Sequence, residues 1–325
     1  MTDVFRWHGG RLAQARAYYG TSAEPWIDLS TGINPQPWTG FTHITPDWHA
    51  LPDPAALADL EFSAARHFGT DPAHVCALPG SEIGLHLLGT LPDRPGCPLI
   101  PSYRSPAAAF PKSLPLLASE DAPPGTALLL ANPNNPDGRL FRSAHMQALL
   151  AHQEERGGWL IVDEAFADCL PEASIASEVA QDRRLIILRS FGKFFGLAGL
   201  RLGFLIAPPA IIAACRQMLG DWPLSAAATD FGRAAYRDRA WIDQTVTTLR
   251  DRATQLDQLL ARHGLETQGD CPLFRLVETP NAPALFDTPA RQAILTRPFE
   301  DHPDWPRFGL PADAAAMARL DAALG

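Results

Sequence analysis

Lys193 stands in "RSFGKFFGLAGLRLGF", Arg189 to Phe204, directly after the apolar run "LIIL" and among aromatics and glycines. No carboxylate lies near it in sequence, a serine sits three residues before it (Ser190) and an arginine eight after it (Arg201). A lysine drawn into an apolar setting is costly unless its charge is neutralised or its amine reacts. Three other stretches carry polar groups of complementary type. In "VDEAF", Asp163 closes an apolar run, where a helix cap or a metal ligand is the plain alternative. In "NPNNPDG", Asn135 lies in a stretch that by itself reads as an Asn/Pro turn. In "LPGSEIGL", Gly80, Ser81 and Glu82 open a helix after a strand, where free backbone N–H groups hold an anion.

Together, an amine, a carboxylate, an amide and an anion-binding helix start backed by a hydroxyl and a guanidinium match one cofactor, pyridoxal 5′-phosphate. Its aldehyde takes a lysine, and its ring nitrogen takes a carboxylate that keeps the ring protonated as an electron sink. Its phenolic oxygen takes an amide donor, and its phosphate takes the helix start with Ser190 and Arg201.

Elements must bring these groups to one place. "HVCALPG", "CPLIPSY", "TALLLANP", "WLIVDEAF", "RLIILRSF" and "LGFLIAP" read as strands. "SEIGLHLLGTL", "SPAAAFPKS" and "SAHMQALLAHQEE", the last with a serine N-cap, read as helices between them. Runs apolar on both faces and separated by helices predict a mostly parallel sheet covered on both sides, an α/β architecture. Ligands of such sheets collect at the carboxyl ends of the strands, where Gly80, Tyr103, Asn132 to Gly138, Asp163 and Ser190 fall. After Pro209 a long helical stretch, "AAATDFGRAAYRDRAWIDQTVTTLRDRATQLDQLLARHG", leads into short strands "LFRLVET", "QAILTRPF" and "PRFGLP" and a last helix from Ala312. The division expected is an arm over 1–40 that joins the small domain, a large cofactor-binding domain over 41–215 and a smaller α+β domain over 216–325.

The chain has 325 residues, 46% hydrophobic and 19% charged, with a formal net charge of −9. That balance argues against a nucleic-acid surface and gives no reason to invoke an anionic membrane. Five scattered cysteines without a C-x-x-C pair point to reduced thiols in the cytoplasm and to no metal site. The start "MTDVFRWHGG" lacks the apolar core of a signal peptide, and the most apolar stretch is too short to span a bilayer and is broken by Pro208 and Pro209.

With "NPNNPDG", "VDEAFAD" and "SFGKFFGLAGLRLG" in this order, the chain resembles the fold-type I pyridoxal-phosphate enzymes of the aminotransferase class I/II group. The resemblance implies that Lys193 bonds the cofactor aldehyde, that Asp163 partners the ring nitrogen and that Asn135 donates to the phenolic oxygen. It implies that Tyr103, in "PSYRSP", stacks on the ring, that Gly80, Ser81, Ser190 and Arg201 form the phosphate cup, and that Glu82 also binds the cofactor. Arg307, in "PRFGLP", falls where the group places the arginine that clamps the substrate α-carboxylate.

"HGGRLAQARAYYG" followed by "WIDLSTGINPQPW" is similar to the start of the L-threonine-O-3-phosphate decarboxylases of cobalamin biosynthesis, relatives of the histidinol-phosphate aminotransferases. In that light His8, otherwise part of a flexible arm, contacts a phosphorylated substrate. Arg297, in "ILTRPF", is either a second contact to that phosphate or a surface arginine at a strand edge. The reaction implied removes CO2 from L-threonine O-3-phosphate and returns a proton to Cα, with Lys193 as donor, to give (R)-1-aminopropan-2-yl phosphate. The alternatives are an aminotransferase acting on histidinol phosphate and a non-catalytic regulatory protein. A homodimer with the site near the interface is also implied. Two positions depart from the group. Leu51, in "LPDP", replaces a tyrosine that reaches the cofactor phosphate of the neighbouring subunit, and Phe166 replaces the tyrosine of "DEAY".

Overall fold

The computed structural model describes residues 4–20, 22, 24–90, 95–110 and 112–325. Residues 1–3, 21 and 23 of the expected arm lie outside them. The chain divides into two compact units. One comprises Pro37–Asn135 and Leu140–Gln244, the other Met1–Gln36, Pro136–Arg139 and Thr245–Gly325. The expected boundary at 215/216 therefore moves to 244/245, inside the helix Arg239–Arg262. The reason is the helix Ala226–Arg237, which follows the apolar stretch but packs in the larger unit against the helix Pro54–Phe68.

The strands run, in chain order, β1 Ile27–Asp28, β2 Val75–Leu78, β3 Gly96–Pro98, β4 Ala127–Ala131, β5 Trp159–Asp163, β6 Leu185–Ser190, β7 Gly203–Ile206, β8 Thr267–Gln268, β9 Phe274–Val277, β10 Ile294–Leu295 and β11 Arg307–Gly309. The larger unit holds a six-stranded sheet in the order β2-β7-β6-β5-β4-β3, with β3 to β6 parallel and β7 antiparallel to both of its neighbours. All residues of β2, β4 and β7 are buried, as strands covered on both faces require. Cys76, Leu78, Leu129, Ile161, Ile186, Leu188 and Leu205 pack with Leu85 and Leu88 of the helix Ser81–Thr90 into one core.

Register gathers chemistry at one end of this sheet. Gly203 pairs with Leu78 on one side and with Ser190 on the other. The residues just beyond those pairs, Gly80 and Ser81 after β2 and Arg201 before β7, are thereby brought to the end of β6.

Two helix starts differ from the sequence reading. Ser143 is the first residue of its helix and Arg142 is the cap, with no side-chain cap bond. The long helical stretch breaks at Asp238 (ψ 71°) into Ala226–Arg237, capped by the Ser225 hydroxyl, and Arg239–Arg262. Asp238 accepts from the Trp38 indole N–H at 2.9 Å and from the Trp241 amide at 3.2 Å, so its carboxylate serves as a cap instead of facing water along a helix.

In the smaller unit, β8, β9 and β11 form an antiparallel sheet in the order β11-β9-β8, and β1 pairs with β10 in parallel. Phe5 and Ala15 of the N-terminal segment pack against Phe286 and Leu295.

Candidate active site

The larger unit builds its site from strand ends. The loop after β4 is pinned by two of its three asparagines. Asn132 accepts from the Phe141 amide at 2.9 Å and donates to the Phe141 carbonyl at 3.0 Å, while Asn134 donates to the Pro101 carbonyl at 2.9 Å. Asn135, half-buried, is the asparagine that this pinning presents.

Asp163, at the end of β5, accepts from the Tyr103 hydroxyl and, through Oδ1, from the Ala165 amide at 3.0 Å. Burial raises its carboxyl above the ordinary range, against the lowering pull of these two bonds and of the Lys193 charge. Burial, followed by the Asp163 charge, likewise raises the Tyr103 hydroxyl well above its ordinary value. Lys193 is half-buried in the short helix Phe191–Phe194, with its Nζ 5.6 Å from the centre of the Phe166 ring.

Gly80 has φ +95°, and a Cβ there would stand 2.6 Å from Arg201 Nη2, so only glycine leaves the helix start open to that guanidinium. Arg201 itself adopts φ +55°, a left-handed conformation unusual for a side-chain-bearing residue and one that clusters at functional sites.

Behind these groups lies a buried ion cluster. Glu164 accepts from Arg189 at 2.9 Å, from the Ser174 hydroxyl at 2.6 Å and from the Ile175 amide at 2.9 Å. Arg189 also donates to Asp168, which accepts from His67 Nε2 at 2.9 Å. Arg239 donates to His67 Nδ1 at 3.2 Å, which assigns the imidazole proton to Nε2.

In the smaller unit, Arg297 and Arg307 face each other as a bridge pair, 7% and 5% exposed. The Arg297 guanidinium donates to the Phe5 and Trp7 carbonyls, each at 2.8 Å, and lies 4.8 Å from the Phe299 ring centre. Arg307 lies 4.6 Å from the Phe274 ring centre and donates to the Ser30 carbonyl at 3.2 Å. Burial, and then the Arg297 charge, push Arg307 down to about 9. Two buried cations side by side make a place for an anion.

Residues 115–308 match the family Aminotransferase class I and II. The chain is 40% identical to threonine-phosphate decarboxylase of Pseudomonas aeruginosa, covering 98% of this chain and 96% of that one. The chain belongs to this aminotransferase family. A threonine-phosphate decarboxylase from a Sinorhizobium species is 37% identical, with 98% of this chain and 97% of that one covered. In fold the chain resembles histidinol-phosphate aminotransferase from Sinorhizobium meliloti, solved in complex with pyridoxal-5′-phosphate, at a TM-score of 0.83 and 21% identity over 97% and 96% of the two chains.

Asp163 carries a carboxylate whose burial calls for a cationic partner, which a protonated ring nitrogen supplies. Gly80 keeps open a cradle that any Cβ would fill. Lys193 is close enough to Asp163 for its charge to act on it. These residues fit pyridoxal phosphate.

Gly80, Ser81, Glu82, Tyr103, Asn135, Asp163, Ser190, Lys193 and Arg201 all belong to the larger unit, and His8, Arg297 and Arg307 to the smaller. The Glu82 side chain lies 3.7 Å from His86 Nε2 on its own helix. Arg297 is buried, so the surface-arginine reading falls. Sequence reasoning passed over the Glu164–Arg189–Asp168 cluster, although a charge in each of two otherwise apolar strand ends was its signal. It also passed over Ser30, whose role depends on a fold contact with Gly10.

Proposed function

We propose that this chain is a pyridoxal-phosphate-dependent decarboxylase that converts L-threonine O-3-phosphate to (R)-1-aminopropan-2-yl phosphate in cobalamin biosynthesis. The observation that carries the reading is identity of 37–40% with two threonine-phosphate decarboxylases over nearly the whole of both chains. The buried Arg307 cation and the His8 segment, both tied to Ser30, support it, because this substrate has an anion at each end. Histidinol-phosphate aminotransferases match less of the chain and at lower identity, the one of Ralstonia nicotianae at 30% over 67% of this chain, and the solved one at 21% speaks for the fold alone.

In this reading the residues divide the work. When bound, pyridoxal phosphate supplies an electron-accepting ring for the pair left at Cα. Lys193 holds its aldehyde, Asp163 its ring nitrogen, Asn135 its phenolic oxygen, and Ser190, Arg201 and the amides of 80–82 its phosphate. Tyr103 covers the ring. Arg307 takes the substrate carboxylate as a fork and fixes the bond to be broken, and the phosphate end belongs to His8 and the Arg297 neighbourhood. The Lys193 amine, released from the aldehyde when the substrate amine takes its place, would return a proton to Cα after CO2 leaves. Decarboxylation with return of the proton to Cα needs no second substrate, whereas transamination consumes a 2-oxo acid.

The test follows from that difference. Purified protein with pyridoxal phosphate and L-threonine phosphate is expected to release CO2 with no 2-oxo acid present. Strict dependence on a 2-oxo acid would sink the decarboxylase reading. The same reading carries a cytoplasmic homodimer with its site near the interface. The five cysteines are buried free thiols, and among the described residues no helix is long and apolar enough to cross a membrane.

A further inference from the structure

The segment Phe5–Gly10 is fastened at both ends. Ahead of His8, the two terminal nitrogens of Arg297 reach the Phe5 and Trp7 carbonyls, each at 2.8 Å. After His8, Gly9 lies so close to Ser30 that a Cβ on it would overlap the Ser30 carbonyl, with the carbonyl carbon at 2.9 Å. Gly10, at φ +74°, donates its N–H to the Ser30 hydroxyl at 2.8 Å. Ser30 in turn is fixed by Asp28, which accepts from its amide at 2.9 Å and from its hydroxyl at 2.5 Å, and the Ser30 carbonyl accepts from Arg307. The helix Val4–Trp7 has four residues, far too few to hold itself. Its place depends on the buried Phe5 ring and on Arg297.

We infer that Arg297 is a positioning residue that clamps the Phe5–Trp7 carbonyls and thereby holds His8 for the phosphate of the substrate, an inference that rests on the decarboxylase reading above. A guanidinium is suited to this because its planar fork spans two acceptors at once; a lysine ammonium cannot reproduce that geometry. The two glycines of "HGG" then have separate duties. Gly9 permits close approach to Ser30, and Gly10 makes the left-handed turn that closes the hold.

The experiment compares wild type, Arg297→Met, Arg297→Lys, Gly9→Ala, His8→Ala and the double variant H8A/R297M as holoenzymes. It reads steady-state CO2 release from L-threonine phosphate and backbone hydrogen exchange of residues 5–10 without substrate. R297M is expected to speed exchange across 5–10 and to raise KM by about tenfold, with a much smaller change in kcat. R297K recovers little. H8A/R297M is expected to be no worse than H8A, because the arginine acts through the histidine. G9A leaves Arg297 intact and is expected to give the same faster exchange and raised KM, which keeps the inference open to refutation if R297M does not fold. Exchange over 5–10 unchanged in R297M overturns the clamp. Faster exchange with KM unchanged, or KM effects of H8A and R297M that multiply, overturns its action through His8. Wild type that releases no CO2 from L-threonine phosphate overturns instead the reading on which this rests.

Discussion

Burial acts on Asp163 and Arg307 in opposite senses, raising the carboxyl and lowering the guanidinium, and in both it disfavours the charged form. Each therefore gains when an opposite charge arrives, in the proposed reading a protonated cofactor ring for Asp163 and a carboxylate for Arg307. Asp163→Asn removes that charge while keeping size, and the variant is expected to bind pyridoxal phosphate yet lose about 10²–10³ in kcat, measured as CO2 release at saturating cofactor. With burial and then the Arg297 charge lowering it to about 9, Arg307 is expected to be cationic below that pH and to give up its proton above it. Inhibition by 3-phosphooxybutanoate, the deaminated substrate, is thus expected to be insensitive to this group below that pH and to weaken by about tenfold per unit above it. Arg307→Met should abolish the step in the Ki–pH profile. Lys193 and Asp163 were legible in sequence because their types are out of place in apolar runs. The bond from Tyr103 to Asp163 was not, because it joins residues 60 apart.

Among the elements, the ends of β5 and β6 each carry one residue toward the site and one away from it, as the alternation of a strand dictates. Asp163 and Ser190 are the residues the proposed reading gives to the cofactor, while Glu164 and Arg189 tie the strands to the turns at Asp168 and Ser174. Burial alone would raise the Asp168 carboxyl, but Arg189 and His67 hold it below its ordinary value. Its pairing therefore contributes stability above the ordinary carboxylate range that is lost as pH falls through the lowered value. Arg189→Met takes the shared guanidinium from two buried carboxylates and is expected to destabilise the fold by about 3–5 kcal/mol in urea unfolding near neutral pH. The gap from wild type is expected to narrow on acidification, as protonation relieves the variant. All six strands of the large sheet were legible as apolar runs, because burial on both faces writes itself directly into composition. The break at Asp238 was not, since its partner Trp38 lies 200 residues away in the chain. The boundary near residue 244 was hidden for a similar reason, within an unbroken helix.

For the whole molecule, the exposed apolar residues of the larger unit bear on assembly. Trp48 and Leu51 lie three residues apart and are 69% and 66% exposed in the single chain, a patch of the kind that partners cover. Leu51 stands two residues before the N-cap Asp53 of the helix Pro54–Phe68, at the position where the family resemblance implies a tyrosine directed at the neighbouring subunit's cofactor phosphate. If that patch is a subunit interface, sedimentation should give the mass of two chains, and Trp48→Glu should shift it toward one. In that dimer Leu51 offers the cofactor phosphate no hydrogen bond. Leu51→Tyr introduces a hydroxyl aimed at a dianion, an interaction stronger than one between neutral groups. The variant is expected to tighten pyridoxal phosphate by about fivefold in equilibrium dialysis. The same substitution in the Trp48→Glu background should give no gain, because the tyrosine acts only across the interface. A gain that persists in the monomer would place residue 51 over its own subunit's site, and no gain in either background would leave the phosphate without a contact from the partner.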